Sequence, residues 1–459
     1  MRAWYLCALL AACGDGTPSS TLPEWSKTLP PASVLGTGMA RGLVPARGIV
    51  HLHSPYSHDA CDGMPRDASG IPNEPCLDHL RAALCADQID YAALTDHDAS
   101  MADEEFSALF NMRGTDTPVM NGSGEQIASR IHCDDGHEVL VSVGGENDLM
   151  PIMLDHHVPG TVQERHDIYN GTSATAIQAM RDAGALIWVA HTEQHPTDEL
   201  RTVAPNGIEL YNLHANIDPK IRADFLGLDG YAAISSAVEF ADTNEGGPEP
   251  DLALLSFLSP NLPGITRWNE LLAEGRHVAA TAGSDAHENA LPVTLADGER
   301  GDSYRRVMRW FSNIVLVTDP KDPAQIEAAL AKGRLFSVFE IMGTPAGFDV
   351  VATGGGELGD TVAFNANHLL VSVPTVRNLD PSLPAPEIRA TVIRLYAGTV
   401  TEVASGSGPN LDVALPGPGA YRVEVTIVPH HLGPYLRDLG TAFADQELPW
   451  IYTSAIYVE

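Results

Sequence analysis

The sequence predicts an α/β fold: a parallel barrel of about seven or eight strand–helix units, followed by a small antiparallel β-sandwich-like domain. Three observations carry this. Short β-branched runs alternate with helical stretches from residue 48 to about 340, a rhythm that builds parallel sheets covered by helices. Polar clusters rich in His and Asp follow several of the strands, and in α/β barrels the strand ends build the active face. After about residue 347 the helical patterns stop and strands separated by Gly, Pro and Asn take over.

In order, residues 48–51 read as the first strand, 77–88 as a helix and 91–95 as the second strand. Residues 101–112 read as helical, 117–120 and 139–143 as strands, 173–183 as a helix, and 185–190 as the most apolar strand of the chain. Strands follow at 207–211, 278–282 and 313–317, then a helix over 323–332 and a strand over 335–339. In the C-terminal part, strands are expected at 348–351, 368–373, 390–395, 421–428 and 450–458. The domain boundaries are set at 45–345 for the barrel and 346–459 for the β-domain.

The 459 residues carry 60 acidic and 27 basic side chains, a formal charge of -33. Nucleic acid is excluded as a partner, because phosphate backbones require clustered Lys and Arg. Attraction to an anionic membrane face is excluded for the same reason. Arg2 and the apolar run 3–12 end in Leu10-Ala11-Ala12-Cys13. This resembles the lipobox of bacterial lipoproteins, so residues 1–12 are read as a signal peptide and Cys13 as a lipid-bearing N-terminus. A plain signal peptide is the alternative. On this reading residues 13–44 form a flexible tether, the only membrane link is the lipid, and the mature chain is periplasmic or on the cell surface. Four cysteines then remain, Cys61, Cys76, Cys85 and Cys133, an even number that suits two disulfides in an exported chain. The sequence does not fix their pairing.

Histidine is concentrated: 15 of 18 fall between His51 and His287. In His51-Leu52-His53, strand alternation points both imidazoles to one side. His58 and Asp59 follow in a polar loop, and His58 is preferred as a ligand because imidazole suits zinc and iron. Thr95-Asp96-His97-Asp98 offers His97 as a ligand, Asp96 as a partner orienting an imidazole, and Asp98 as a helix N-cap. Glu125 closes the Gly-rich turn Gly122-Ser123-Gly124 and is the candidate carboxylate bridging two ions. His137 is preferred over His132, and His191 ends the most apolar strand, where a titratable group requires a partner or a metal. Gly283-Ser284-Asp285-Ala286-His287 again sets two ligand types two residues apart. His195, His214 and the pair His156-His157 have no such placement and receive no role.

Taken in order, HLHS from His51, TDHD from Thr95, GSGE from Gly122, VAH from Val189 and GSDAH from Gly283 resemble the PHP (polymerase and histidinol phosphatase) superfamily. The segment 207–212 is similar to one that follows the VAH-type motif there. The stretches 268–275 and 323–334 and the closing Pro449-Trp450 resemble the CehA/McbA branch, which includes carbamate and aryl ester hydrolases. The resemblance implies a distorted seven-stranded (β/α) barrel with two or three divalent ions, zinc foremost, with manganese or iron as alternatives. It implies one ion on His51, His53, Glu125 and Asp285, a second on Glu125, His137 and His191, and a third on His58, His97 and His287. Glu125 and Asp285 would then be the catalytic carboxylates. The chain departs from the family where SHD (Ser57 to Asp59) replaces the usual SDG, and in the insert from Cys61 to Cys76.

No Gly-x-Ser-x-Gly elbow occurs, so covalent serine catalysis has no support. The expected reaction is attack by a metal-bound hydroxide on a small phosphate ester, or on a carboxyl or carbamate ester. Arg66, Arg130 and Arg165 are the candidates for holding a phosphate. The competing function is a surface lipoprotein that binds metal without turnover.

Overall fold

A computed structural model of the protein describes residues 22–241, 246–365 and 367–459. Residues 1–12, expected to be a signal peptide, Cys13 and the first part of the expected tether lie outside the described residues.

The fold is mixed α/β, with one large sheet and three smaller ones. Strand β1 (Val44–Ile49) pairs in parallel with β2 (Tyr91–Leu94). A hairpin of β3 (Thr117–Met120) and β4 (Gln126–His132) forms the far edge. It joins β2 through β5 (Glu138–Val143), which is parallel to β2 and antiparallel to β4. The second sheet runs β6 (Met150–Ile152), β7 (Leu186–Val189), β8 (Gly207–Asn212), β9 (Ala279–Gly283), the last three parallel. On the other side of β1 lie β10 (Ser312–Val317) and β11 (Leu335–Val338), both antiparallel to their neighbours. Helices α1 (Glu74–Ala86), α2 (Ala174–Asp182), α3 (Leu262–Ala273) and α4 (Pro323–Lys332) pack against β5, β7, β8 and β10 respectively.

Both parallel runs begin with a glycine opposite an aromatic ring. Gly48 faces Tyr91 and Gly207 faces Trp188. A Cβ at either glycine would lie 2.0 or 2.1 Å from the ring it faces, so the ring occupies the missing side chain's space. This fixes the register by which each strand delivers its end to the same region.

Parallel pairing therefore occurs in two runs, β1–β2–β5 and β7–β8–β9. The sheets touch at two isolated pairs, Val143 with Leu154 and Leu52 with Ala286. A continuous seven-stranded ladder does not form among the described residues, because the β3–β4 hairpin and antiparallel β6 intervene. The helix expected over 101–112 is reduced to a turn at Asp98–Met101 and a 3-10 segment at Phe106–Phe110.

At two places the packing differs from what the sequence leads one to expect. Residues 22–43, expected to be tether, are packed on the body of the protein. Leu29 and Leu35 are buried, Trp25 Nε1 donates to Asp251 Oδ2 at 2.9 Å, and Leu29 N–H donates to the Ala86 carbonyl at 3.2 Å. The cause is apolar content that a composition rich in Pro and Ser had masked. Most C-terminal strands are antiparallel as expected, Thr361–Val362 and Ile456–Val458 forming a parallel pair, but they share a sheet with β10 and β11. Leu448–Thr453 pairs with β11 and with Gly419–Val428, which pairs with Glu387–Tyr396. A separate three-stranded sheet contains Asp349–Ala352, His368–Ser372 and Asn410–Ala414. Two disulfides form, Cys61–Cys76 and Cys85–Cys133. Among the described residues no helix is long and apolar enough to cross a membrane.

Candidate metal centre

His51 and His53 leave the end of β1 fully buried, with their Nε2 atoms 3.2 Å apart. Two carboxylates face them. Glu146 Oε2 lies 3.3 Å from His51 Nε2 and 3.2 Å from His53 Nε2; Asp285 Oδ1 lies 3.5 and 3.1 Å from the same atoms. These four atoms form a compact group that could hold a metal ion. Tetrahedral coordination with bonds of about 2.0–2.1 Å places ligand atoms about 3.4 Å apart. The observed separations of 3.1–3.5 Å bracket that spacing, and the mixed N/O donor set suits zinc, iron or manganese.

Both carboxylates present a second oxygen to another side. Glu146 Oε1 lies 3.3 Å and Asp285 Oδ2 3.2 Å from His191 Nε2, and Asp285 Oδ2 is 3.4 Å from His214 Nδ1. A further group forms where Asp59 Oδ2 stands 3.5 Å from both His97 Nε2 and His287 Nε2. The donors thus form one connected patch with Glu146 and Asp285 in its middle.

The imidazoles are held from behind. His51 Nδ1 binds Glu209 Oε1 at 2.8 Å, and His191 Nδ1 binds Glu193 Oε1 at 3.2 Å. His97 and His287 use Nδ1 on the carbonyls of Glu146 and Asp285, at 3.0 and 2.6 Å. His53 Nδ1 donates to Ser57 Oγ at 3.1 Å, which passes its own proton to Asp59 Oδ1 at 2.9 Å. With Nδ1 occupied as donor, each of these rings is held with Nε2 facing the patch, the atom through which it would bind a metal ion. Glu209 also accepts from the His191 backbone N–H and from Asn212, both at 2.9 Å. His191 and Asp285 adopt left-handed backbone, at φ 44° and 50°, a conformation that persists in non-glycine residues only where surrounding contacts enforce it.

The electrostatics favour positive charge here. Burial alone would lower the His53 pKa, but hydrogen bonds to Asp285 and Glu146 push it up to about 10. His51 is also raised well above its usual value: burial opposes, and the charges of Glu146, Glu209 and Asp285 prevail. Against their own burial, Glu146 and Asp285 are held far below the usual carboxylate range by the facing histidines. His287 falls to about 4 and stays neutral, because burial, with the neighbouring His53 and His214, outweighs the charges of Asp285 and Asp59.

Of the residues singled out from sequence, His51, His53, His97, His191, Asp285 and His287 come together here. Glu125 does not. It sits exposed in the β3–β4 hairpin turn, where Asn121 Nδ2 donates to its Oε2 at 3.1 Å; the central carboxylate is Glu146, from the Gly144-Gly145-Glu146 turn after β5. His137 lies in the next hairpin turn with Nε2 on the Ile89 carbonyl at 2.7 Å, and His132 is likewise on that hairpin. His58 is exposed, its ring 5.1 Å from that of His97, while its neighbour Asp59 faces the cluster. Asp96 orients no imidazole; it accepts from Ser54 N–H and Oγ at 2.6 and 2.8 Å, which fixes the chain after His53. Asp98 opens a short helix whose N-cap is His97, and its carboxylate accepts from His166 and Asn170. Asp59 takes the place for which His58 was preferred, and Glu146, His214 and the supporting Glu209 carry the centre beyond what the motifs indicated.

Two of the candidate phosphate-binding arginines are engaged elsewhere. Arg66 pairs with Glu104 at 2.7 Å, and Arg130, on the exposed hairpin, bonds the Lys321 carbonyl.

No family model and no curated protein matches the chain. Two solved structures show a weak similarity. One is a two-domain protein from Bacteroides vulgatus described as containing a predicted PHP-like metal-dependent phosphoesterase. It is 10% identical over 90% of this chain and 96% of its own, with a TM-score of 0.33. The other is PsfC from Pseudomonas syringae, 12% identical over 59% of this chain and 82% of its own, with a TM-score of 0.29. At such scores neither likeness bears on the centre or its chemistry.

Proposed function

We propose that this chain is a metal-dependent hydrolase of the PHP kind, acting on a small phosphate, carboxyl or carbamate ester. The observation that carries this is the buried group His51, His53, Glu146 and Asp285, whose facing atoms stand at ligand–ligand separations while two carboxylates reach toward further histidines. Two or three divalent ions are proposed, zinc foremost. When bound, such ions supply Lewis acidity and activate water at neutral pH.

The chain's own residues do the rest. Glu146 and Asp285 hold adjacent positions at a fixed spacing, Glu209 and Glu193 keep His51 and His191 turned inward, and neutral His287 keeps its Nε2 lone pair available. Within the PHP reading, the two parallel runs and their isolated contacts are a distorted form of the (β/α)7 barrel, and the CehA/McbA branch is the finer assignment. An exported location, with the lipid on Cys13, is supported by the two disulfides, which persist in oxidising compartments.

The test is to count metals in purified protein, then assay p-nitrophenyl phosphate, bis(p-nitrophenyl) phosphate and p-nitrophenyl acetate with and without chelator. Two or more ions and chelator-sensitive turnover are expected. Metal without turnover of any ester would favour the sequestering lipoprotein instead.

A further inference from the structure

Directly beside the centre lies a cavity of about 410 Å³ whose wall includes His214 and Asn289. His214 belongs to both: its Nδ1 is 3.4 Å from Asp285 Oδ2, and its ring centroid is 4.8 Å from that of His287. Asn289 donates to the carbonyl of Asp59 at 3.2 Å. The remaining wall is apolar, built from Ile217, Ile234, Val238, Phe257, Leu291 and Leu295 among others. Phe257 and Leu295 are buried, whereas Ile234 and Val238 stand 40% and 63% exposed at the mouth, and Val293 48%.

Besides His214, the described lining residues include one ionisable side chain, Asp218. Its carboxylate is already used by the backbone N–H groups of Lys220 and Ile221, both at 2.8 Å. One wall is held in place, because Asp302 accepts from the N–H groups of Ala290 and Leu291 at 2.7 and 2.8 Å. No Lys or Arg pairs with Glu146, Asp285 or Asp59 among the described residues; their ion-pair partners are all histidines. A held, apolar space with room for about a dozen waters, sharing His214 with the centre and with no Lys or Arg among its described lining residues, is built to displace water with hydrocarbon.

We infer that this cavity is the specificity pocket of the centre, and that the substrate is a neutral ester carrying an apolar arm of several carbons. The inference rests on the hydrolase reading above. The reaction it serves consumes one water: oxygen adds to the ester carbon, the bond to the leaving oxygen breaks, and carboxylate, alcohol and one proton result. The arm, lying past His214, would hold the scissile carbon over Asp285 and His287.

The test is kcat/KM on p-nitrophenyl acetate, butyrate and hexanoate, on phenyl and 4-propylphenyl acetates, and on p-nitrophenyl phosphate. Each methylene buried is expected to raise kcat/KM about fourfold, so butyrate should exceed acetate about 15-fold unless the arm is on the leaving side. In that case the 4-propylphenyl ester shows the gain. V238D and V293D, at exposed rim positions that tolerate charge without unfolding, should cut the long-to-short ratio at least fivefold with metal content unchanged. A flat response in both series, or phosphate turned over faster than every neutral ester, would overturn the pocket's role while leaving the hydrolase reading intact. Absence of metal-dependent turnover on any ester would overturn both.

Discussion

Replacing Gly283 with alanine perturbs the centre without altering any metal-facing atom. A Cβ there would lie 1.3 Å from Glu209 Oε1 and 2.4 Å from its Cδ, closer than any contact atoms can tolerate, so the Glu209 carboxylate must swing away. That strips His51 Nδ1 of its partner at 2.8 Å and the His191 N–H of its partner at 2.9 Å. Hydrogen bonds to a charged group contribute about 1.5–3 kcal/mol each, so losing these two costs about 3–6 kcal/mol of folding stability. A displaced group supporting metal ligands typically costs about 10–100-fold in metal affinity. Chelator-competition titration reads the affinity, and thermal unfolding of the metal-free protein reads the stability. Glu209→Gln, which keeps the side chain's shape, separates the effects: metal affinity falls in the same range with a smaller stability loss. If Gly283→Ala binds metal as tightly and melts as high as the parent, Glu209 does not orient His51.

Three further outcomes follow from the structure. Glu146→Gln should lose at least one ion by elemental analysis and nearly all turnover, whereas Glu125→Gln, in an exposed turn, should keep both. Removing the Cys85–Cys133 bridge, which spans 48 residues, should destabilise the fold by about 4 kcal/mol on chain-entropy grounds with little effect on metal content. Removing Cys61–Cys76 should release the chain after Asp59 and lower metal content first. His431 supplies the pH test: burial lowers its pKa to about 4 against a bond to the Met342 carbonyl. A histidine depressed in the folded state stabilises above its unfolded pKa of 6.5 and loses that contribution as pH falls toward 4. Between pH 8 and 5 this amounts to about 2 kcal/mol; denaturant unfolding should show that part of the pH slope vanish in His431→Gln.

The parts of the centre that the sequence made legible are those in which chemistry sits on one strand end. His51 and His53, His191, and Asp285 with His287 each follow an apolar run directly, and the run alone says where they point. Glu146 was hidden for a tertiary reason. Two Gly-rich turns ending in Glu, at Gly122–Glu125 and Gly144–Glu146, are nearly equivalent locally; the first closes a solvent-facing hairpin, and only the pairing of Thr117–Met120 with Gln126–His132 reveals that. Asp59 lost to His58 because ligand preference by residue type ignores which side of a loop faces inward. His214, on a short helix after β8, has no strand-end placement, so nothing local marked it. Most expected strands and helices stand within about three residues of their places, but the helix expected over 101–112 is broken and β4 and β6 were not foreseen; the joining of β11 to Leu448–Thr453 depends on contacts more than a hundred residues apart.

The seam between the two sheets has a consequence of its own. His51, His53, Asp59, His97 and Glu146 come from the large-sheet side, and His191, His214, Asp285 and His287 from the second sheet. Backbone hydrogen bonds cross that line at separate points rather than along a continuous ladder: Asp285 N–H to the His51 carbonyl and His53 N–H to the Ala286 carbonyl, both at 3.1 Å, and Cys61 N–H to the His287 carbonyl and Leu154 N–H to the Val143 carbonyl, both at 2.8 Å. Any bound cation is therefore a clasp between two halves of the molecule as well as a reagent. An unfolded chain, with these ligands scattered between residues 51 and 287, has no comparable binding place, so metal supply and survival of the folded state are linked by mass action. Starving the protein of metal should first unzip this line, visible as faster amide exchange at His53 and Asp285 than in the strands on either side.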